Sequence, residues 1–252
     1  NIPVPIYAHK LEQDIHSCLS GELRKALQSR RPQDLQRHVQ QLSKDIYGFS
    51  LFSVEYSNLL MEEVLNFENR AVQNSIPLQR PYRYKDFGFL VEQMGCTAGI
   101  NTLVKQVITP IGKLLFPTVG GDSIDEDFAF VVNHSQGSTS DLGFHHEDSD
   151  ITINICLGGD FDGGELYFQG RRCQMHKHSW HRPKEHFEYT PVPGKALIYT
   201  GSHRYGMYPL RSGGLSNLII WCRSSSYRKK KLDKTECPNW CGESVQSDHV
   251  NP

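Results

Sequence analysis

The segment from Phe128 to Gly170, FAFVVNHSQGSTSDLGFHHEDSDITINICLGGDFDGGELYFQG, restricts the fold more than any other part of the chain. Apolar residues recur at every second position, first at Phe128, Phe130 and Val132 and again at Ile151, Ile153 and Ile155. That is the period of half-buried strands, not of a helix. Between the two runs stands His145-His146-Glu147-Asp148, and a Gly163-Gly164 turn leads into a further strand from Glu165 to Phe168. Side chains two apart on a strand point to one face, so either His145 with Glu147 or His146 with Asp148 can converge on one cation, but not both pairs from the same face. A histidine and a carboxylate so placed, completed by a distant residue, make the facial triad that holds non-haem Fe(II) with open coordination positions.

The remainder of the chain supports one large domain. With 252 residues, 38% hydrophobic and 22% charged, it can bury a substantial core, and a net charge of -1 gives no global field that would draw nucleic acid or a membrane surface. No run of eighteen apolar residues is present, and no membrane association is expected. Asn1 opens neither a signal peptide nor a transit peptide, and NIPVPIY fits the start of a trimmed fragment from which localisation signals have been cut away. The seven cysteines, an odd and scattered set, suggest a reducing intracellular setting, cytoplasmic or nuclear.

Helical spacing at Leu11, Ile15, Leu19, Leu23 and Leu27, then at Leu35, Val39, Leu42 and Ile46, predicts two amphipathic helices broken by Arg30-Arg31-Pro32, so that residues 1–47 form an N-terminal helical segment. Ser57 or Asn58 is expected to cap a helix running to about Asn69, and a helix over Ile100 to Phe116 is expected to kink at Pro110. The basic and aromatic stretch from Gln79 to Gly88 reads as a core-capping loop with wet cations, the alternative being a grip on a polyanion. His176, His178, His181 and His186 crowd a segment that reads as a surface insertion, a metal-scavenging loop or lid being the other reading. Residues 227–252 form a tail. Its Arg228-Lys229-Lys230-Lys231 reads as solvated, with nuclear targeting or an anionic partner as the alternative. Cys237 and Cys241 form a C-x3-C pair with His249 nearby, which without a second tight pair is a weak zinc signal.

Thr152-Ile153-Asn154-Ile155-Cys156-Leu157, Phe161-Asp162-Gly163-Gly164, Pro209-Leu210-Arg211-Ser212-Gly213 and Ser216 to Trp221 together resemble the prolyl/lysyl-hydroxylase branch of the Fe(II)/2-oxoglutarate oxygenases. Among these the similarity is to the 2-oxoglutarate and iron-dependent oxygenase domain-containing proteins, in continuous register from about Tyr47 to Cys241. The resemblance implies an α+β domain over residues 48–226, a double-stranded β-helix or jelly roll at about 127–223 behind helices at 57–116. It implies Fe(II) and 2-oxoglutarate as cofactors and a protein or peptide as substrate or partner.

Residue by residue, the family's His-x-Asp falls on His145 and Glu147, and its oxoglutarate-contacting tyrosine falls on His134. Its distal histidine falls on Tyr205, and its oxoglutarate arginine on Leu215. Two side chains stand near enough to compensate: His203, two residues before Tyr205, as third metal ligand, and Arg211 for Leu215, with Asn154 assisting the oxoglutarate carboxylate. A register using His146 and Asp148 is the alternative metal pair and needs a bulge to absorb a one-residue slip. Three functions follow: a working hydroxylase of protein side chains, a non-catalytic jelly-roll scaffold that binds a partner, or a metal-binding module using His145, Glu147 and His203 without oxoglutarate. His145 and His146 as hydrogen-bonded loop histidines complete the alternatives.

Overall fold

The computed structural model describes residues 5, 7, 9–81, 88–136, 145–232 and 237–242. Four short helices open the chain, α1 (His9–Gln13), α2 (Ile15–Cys18), α3 (Gly21–Gln28) and α4 (Pro32–His38), followed by strands β1 (Gln40–Ser43) and β2 (Ile46–Ser50). The long helix α5 (Val54–Gln73) leads to β3 (Phe89–Leu90), then α6 (Thr97–Leu103) and α7 (Thr109–Leu115). The strands β4 (Glu126–Ser135), β5 (Ile151–Gly158), β6 (Phe161–Gly163), β7 (Leu166–Arg171), β8 (His186–Tyr189), β9 (Lys195–Thr200), β10 (His203–Met207) and β11 (Leu210–Arg223) follow, and α8 (Ser225–Leu232) comes last.

The strands form two facing antiparallel sheets. The larger runs β1-β2-β9-β5-β11-β4-β3, with β6 on the early part of β11, and the smaller runs β10-β7-β8. This is the expected jelly roll, widened by strands from the N-terminal segment. The alternation seen in the sequence explains how the larger sheet is buried on both sides. Ile151, Ile153 and Ile155, with Leu218 and Ile220 of β11, pack against Leu60, Val64 and Phe67 of α5 and Ile100 and Leu103 of α6. Phe130 and Val132 point the other way and join Ile219 and Trp221. The Phe130 ring stands edge-on to Trp221, with centroids 5.1 Å apart, a favoured aromatic geometry. Between the two sheets, Leu166, Phe168, Leu197, Tyr199, Tyr205 and Leu215 make a further cluster.

Three local expectations are corrected. The second N-terminal helix ends at His38, and Leu42 and Ile46 belong to a hairpin whose turn holds Asp45 at φ 58. Apolar residues four apart, as Leu42 and Ile46 are, fit either period, and pairing of β2 with β9 decides for strand. The cap of α5 is Ser53, whose hydroxyl accepts from the Tyr56 N–H at 3.1 Å. Ser57, expected as a cap, is buried inside the helix. At Pro110 the chain does not simply kink. A π-turn over Val104–Ile108 precedes α7, and the Thr109 N–H bonds back to the Val104 carbonyl, so the wider turn accommodates the missing proline donor.

Gly213 is required where β11 leaves β6. Its φ is 75°, and a β-carbon there would lie 1.7 Å from the Asp160 carbonyl oxygen, a conformation and a contact that only glycine tolerates. Most of the Gln79–Gly88 loop and His249 lie outside the described residues. Among the described residues no helix is long and apolar enough to cross a membrane, and none of the seven cysteines is in a disulfide.

Candidate functional site

The site is built on a single pair of residues. His145 and Tyr205 form an isolated antiparallel bridge in which each N–H donates to the other's carbonyl at 3.1 Å. Residues directly opposite across such a pair project to the same side, and their ring centroids are 4.8 Å apart. Glu147, two residues on, follows to the same place. Its Oε1 lies 3.7 Å from His145 Nε2 and accepts the hydroxyl hydrogen of Tyr205. All three residues are buried.

The wall around them is aromatic. Tyr205 stacks on Phe168 with centroids 5.5 Å apart and meets Tyr199 edge-on at 5.5 Å. Burial, and then the Glu147 carboxylate, push the Tyr199 phenol well above its ordinary range, while neighbouring Tyr205 and Asn154 act in the opposite direction. Tyr199 carried no chemical signal in the sequence; it read only as one residue of the strand KALIYT.

Leu215 is paired across the ladder with His134 and is 1% exposed, packed in the cluster that includes Cys156, Leu166, Met207 and Leu210. No cation is supplied there by Arg211, which was expected to compensate. Its guanidinium is 60% exposed and held by Asp162 at 2.7 Å and Glu165 at 3.2 Å. The reason is its place near the start of β11, at the irregularity between Leu210 and Ser212, where the pairing with β6 sets it beside Asp162.

His203 shares a strand face with Tyr205, and its ring also approaches Phe168 and Tyr199. It is nevertheless one full pleat, roughly 7 Å, along the strand, opposite Arg171. Burial, then Arg171, then His146 and the Lys44 charge hold its imidazole well below the ordinary histidine range, while the neighbouring Lys44 backbone works the other way. Among the described residues, one group of three or more His, Cys, Asp or Glu side chains brings its ligand atoms within 4.8 Å of one another, and it does not contain His145, Glu147 or His203. The alternative pair is divided as well. His146 is half-buried, whereas Asp148 faces outward and pairs with Arg223 at 2.9 Å and Arg228 at 3.0 Å.

His134 is 5% exposed, and among the described residues its Nδ1 has no hydrogen-bond partner. Burial pushes its pKa down from 6.5 to about 4. An imidazole kept neutral in the folded chain takes up a proton on unfolding, so its contribution is whole above about pH 6.5 and is lost as the pH falls toward about 4. Between those limits the wild type should lose about 3 kcal/mol relative to a His134→Gln variant. Denaturant titrations across this window check it; a constant difference would show that His134 is solvated.

The residues fit the two family cofactors poorly. A facial iron site needs three convergent ligands, and the third place here is a phenol already bonded to the carboxylate. A dicarboxylate needs a buried cation, and the corresponding wall is Leu215 among apolar side chains.

Comparison with known proteins agrees with the fold. A model of the OGFOD2-like domain matches residues 5–121. The 2-oxoglutarate and iron-dependent oxygenase domain-containing protein ICU11 of Arabidopsis thaliana is 38% identical over 197 residues, 78% of this chain and 50% of that protein. Protein 2 of the same name from Mus musculus is 33% identical over 202 residues, 79% of this chain and 53% of its own length. The chain thus spans about half the length of these relatives. Among solved structures, the prolyl hydroxylase of Trichoplax adhaerens in complex with a hypoxia inducible factor peptide fragment superposes with a TM-score of 0.55 at 14% identity, covering 87% of this chain and 99% of that one. A Pseudomonas putida prolyl-4-hydroxylase gives 0.51 at 13% identity, covering 78% and 98%. On the sequence relatives and this shared architecture, the chain belongs to the 2-oxoglutarate and iron-dependent oxygenase-like family, with a prolyl-hydroxylase-like jelly roll.

Proposed function

We propose that this chain keeps the oxygenase fold without its standard iron and 2-oxoglutarate chemistry, and acts as a jelly-roll scaffold that binds a protein partner. The observation that carries this reading is the hydrogen bond from the Tyr205 hydroxyl to Glu147. Where the resemblance expects a second metal-binding imidazole, a phenol is committed to the carboxylate that a metal would need. Leu215 supports the same conclusion, since a leucine offers no partner to a carboxylate brought out of water. A metal module built on His145, Glu147 and His203 is less well supported, because His203 sits a pleat away beside Arg171.

That the partner is a protein rests on the fold. The Trichoplax neighbour was solved with a peptide fragment, and only the idea that a protein segment docks on such a scaffold is carried over. An intracellular setting, cytoplasmic or nuclear, belongs to the same reading and is supported by seven cysteines without a disulfide.

The test is succinate release from 2-oxoglutarate by the purified chain with Fe(II), ascorbate and oxygen. No succinate above the metal-free control is expected. Iron-dependent succinate formation that disappears in Glu147→Ala would overturn the proposal and restore the enzyme reading, with Glu147 as a ligand.

A further inference from the structure

The smaller sheet ends in a side-chain cluster that the jelly-roll site does not use. β7 runs into Arg172 and Cys173, and a single turn at Gln174–His176 brings His176 back beside Cys173. The segment 237–242 crosses this point, and Cys237 and Cys241 enter it from opposite sides of a turn closed by the Cys241 N–H on the Pro238 carbonyl at 2.8 Å. The four ligand atoms all lie within 4.8 Å of one another. The second tight pair that the C-x3-C spacing lacked is therefore Cys173-x2-His176, far upstream in the histidine-rich segment that read as a surface insertion.

We propose that Cys173, His176, Cys237 and Cys241 bind one structural zinc ion. The distances argue for a metal over hydrogen bonds. His176 Nδ1 lies 3.3 Å from Cys173 Sγ, 3.4 Å from Cys237 Sγ and 3.5 Å from Cys241 Sγ. One ring nitrogen has either a single proton or a single lone pair and cannot satisfy three sulfurs. A shared ion can. Bond lengths of about 2.3 Å to sulfur and about 2.0 Å to nitrogen around a tetrahedron put sulfur–sulfur edges at about 3.8 Å and sulfur–nitrogen edges at about 3.5 Å. Cys173 Sγ and Cys237 Sγ are 3.9 Å apart, far beyond a disulfide.

The surroundings are those of a thiolate site. The Cys173 backbone N–H points at Cys241 Sγ at 3.5 Å, as an N–H does when it stabilises sulfur-borne negative charge. Three sulfurs and one nitrogen complete a four-coordinate set, which makes the site structural, and the soft donors favour zinc over calcium or magnesium. Its consequence is a staple. The ion would tie segment 237–242 to the end of β7, reinforcing the Gly242 N–H bond to the Arg171 carbonyl at 3.2 Å and the Arg171 guanidinium 4.5 Å over the Trp240 ring.

The whole chain, purified without chelators, should carry about one zinc per molecule by mass spectrometry of its metals. The Cys237→Ser/Cys241→Ser double variant should lose it, whereas His176→Cys, which replaces one zinc ligand with another, and His145→Ala/Glu147→Ala should retain it. Should the double variant fail to fold, wild-type chain stripped of metal and refilled with Co(II) provides the second reading. The expected result is a thiolate-to-cobalt charge-transfer absorption with the intense visible bands of tetrahedral cobalt. Folded wild-type protein without zinc and without such a spectrum would overturn the proposal, as would zinc lost on His145→Ala/Glu147→Ala but kept on Cys237→Ser/Cys241→Ser. Oxidation of Cys173 and Cys237 to a disulfide in freshly purified, metal-free protein would overturn it too.

Discussion

Titrated with 2-oxoglutarate in the presence of Mn(II), the wild-type chain should bind at least two decades more weakly than a Tyr205→His/Leu215→Arg variant of itself. The physical basis is the partnering of a desolvated charge. Leu215 is 1% exposed and packed among apolar side chains, so a carboxylate placed against it loses its water and gains no cation. Removing one partner of a buried charge pair costs about 3 to 5 kcal/mol, which is about two to three and a half decades in affinity. Tyr205→His acts at the other end of the ligand by freeing Glu147 and restoring an imidazole opposite His145. Arg211→Ala is the informative control. Its guanidinium is bound to Asp162 and Glu165 at the surface, so its removal should leave binding unaltered. Tight, Mn(II)-dependent binding by the wild type, abolished by Arg211→Ala, would mean that Arg211 leaves Asp162 and Glu165 and rebuilds the pocket.

How much of this was legible before the structure depends on whether the signal is local. The alternation at Phe128, Phe130 and Val132 and at Ile151, Ile153 and Ile155 specifies strands, and pairing through β11 turns the two sets to opposite faces of one sheet. The two-residue step from His145 to Glu147 brings both to one face, as strand geometry requires. What spacing does not encode is which residue of a distant strand stands opposite His145. His203 and Tyr205 share a face, and only the bridge between His145 and Tyr205 separates them. Arg211 has the right chemistry in the right neighbourhood, but Asp162, brought near by the pairing of β6 with β11, captures it. The joining of Cys173 and His176 to the C-x3-C pair was hidden for a similar reason. Cys173 and Cys241 are 68 positions apart, and each half of the ligand set is by itself an ordinary short spacing.

The largest stability effect is expected at Arg172, whose side chain is fully buried. Its guanidinium donates to both Glu185 oxygens at 2.8 and 2.9 Å, to Ser179 Oγ at 2.8 Å and to the Trp180 carbonyl at 2.8 Å. One cation thus ties Ser179, Trp180 and Glu185 together in the segment between β7 and β8. The side chain is long enough for an Arg172→Met variant to fill much of the space, which isolates the loss of charge and hydrogen bonds from the creation of a cavity. That loss should destabilise the chain by about 3 to 5 kcal/mol in denaturant titration, because the Glu185 carboxylate, only 15% exposed, loses its cation. Replacing both partners, in Arg172→Met/Glu185→Leu, should recover most of it, since no charge is then stranded. Glu185 adds a pH signature. Burial works to raise its carboxyl, but Arg172 and the Arg182 N–H outweigh burial and hold it below its ordinary value of 4.5. A carboxylate with a depressed folded pKa contributes stability that is present above the unfolded value and lost as the pH falls through the folded one. The wild type should therefore show an acid-dependent loss below about pH 4.5 that is absent from the double variant. A cost under about 1 kcal/mol for Arg172→Met, in the range of surface ion pairs, would mean that water reaches this guanidinium.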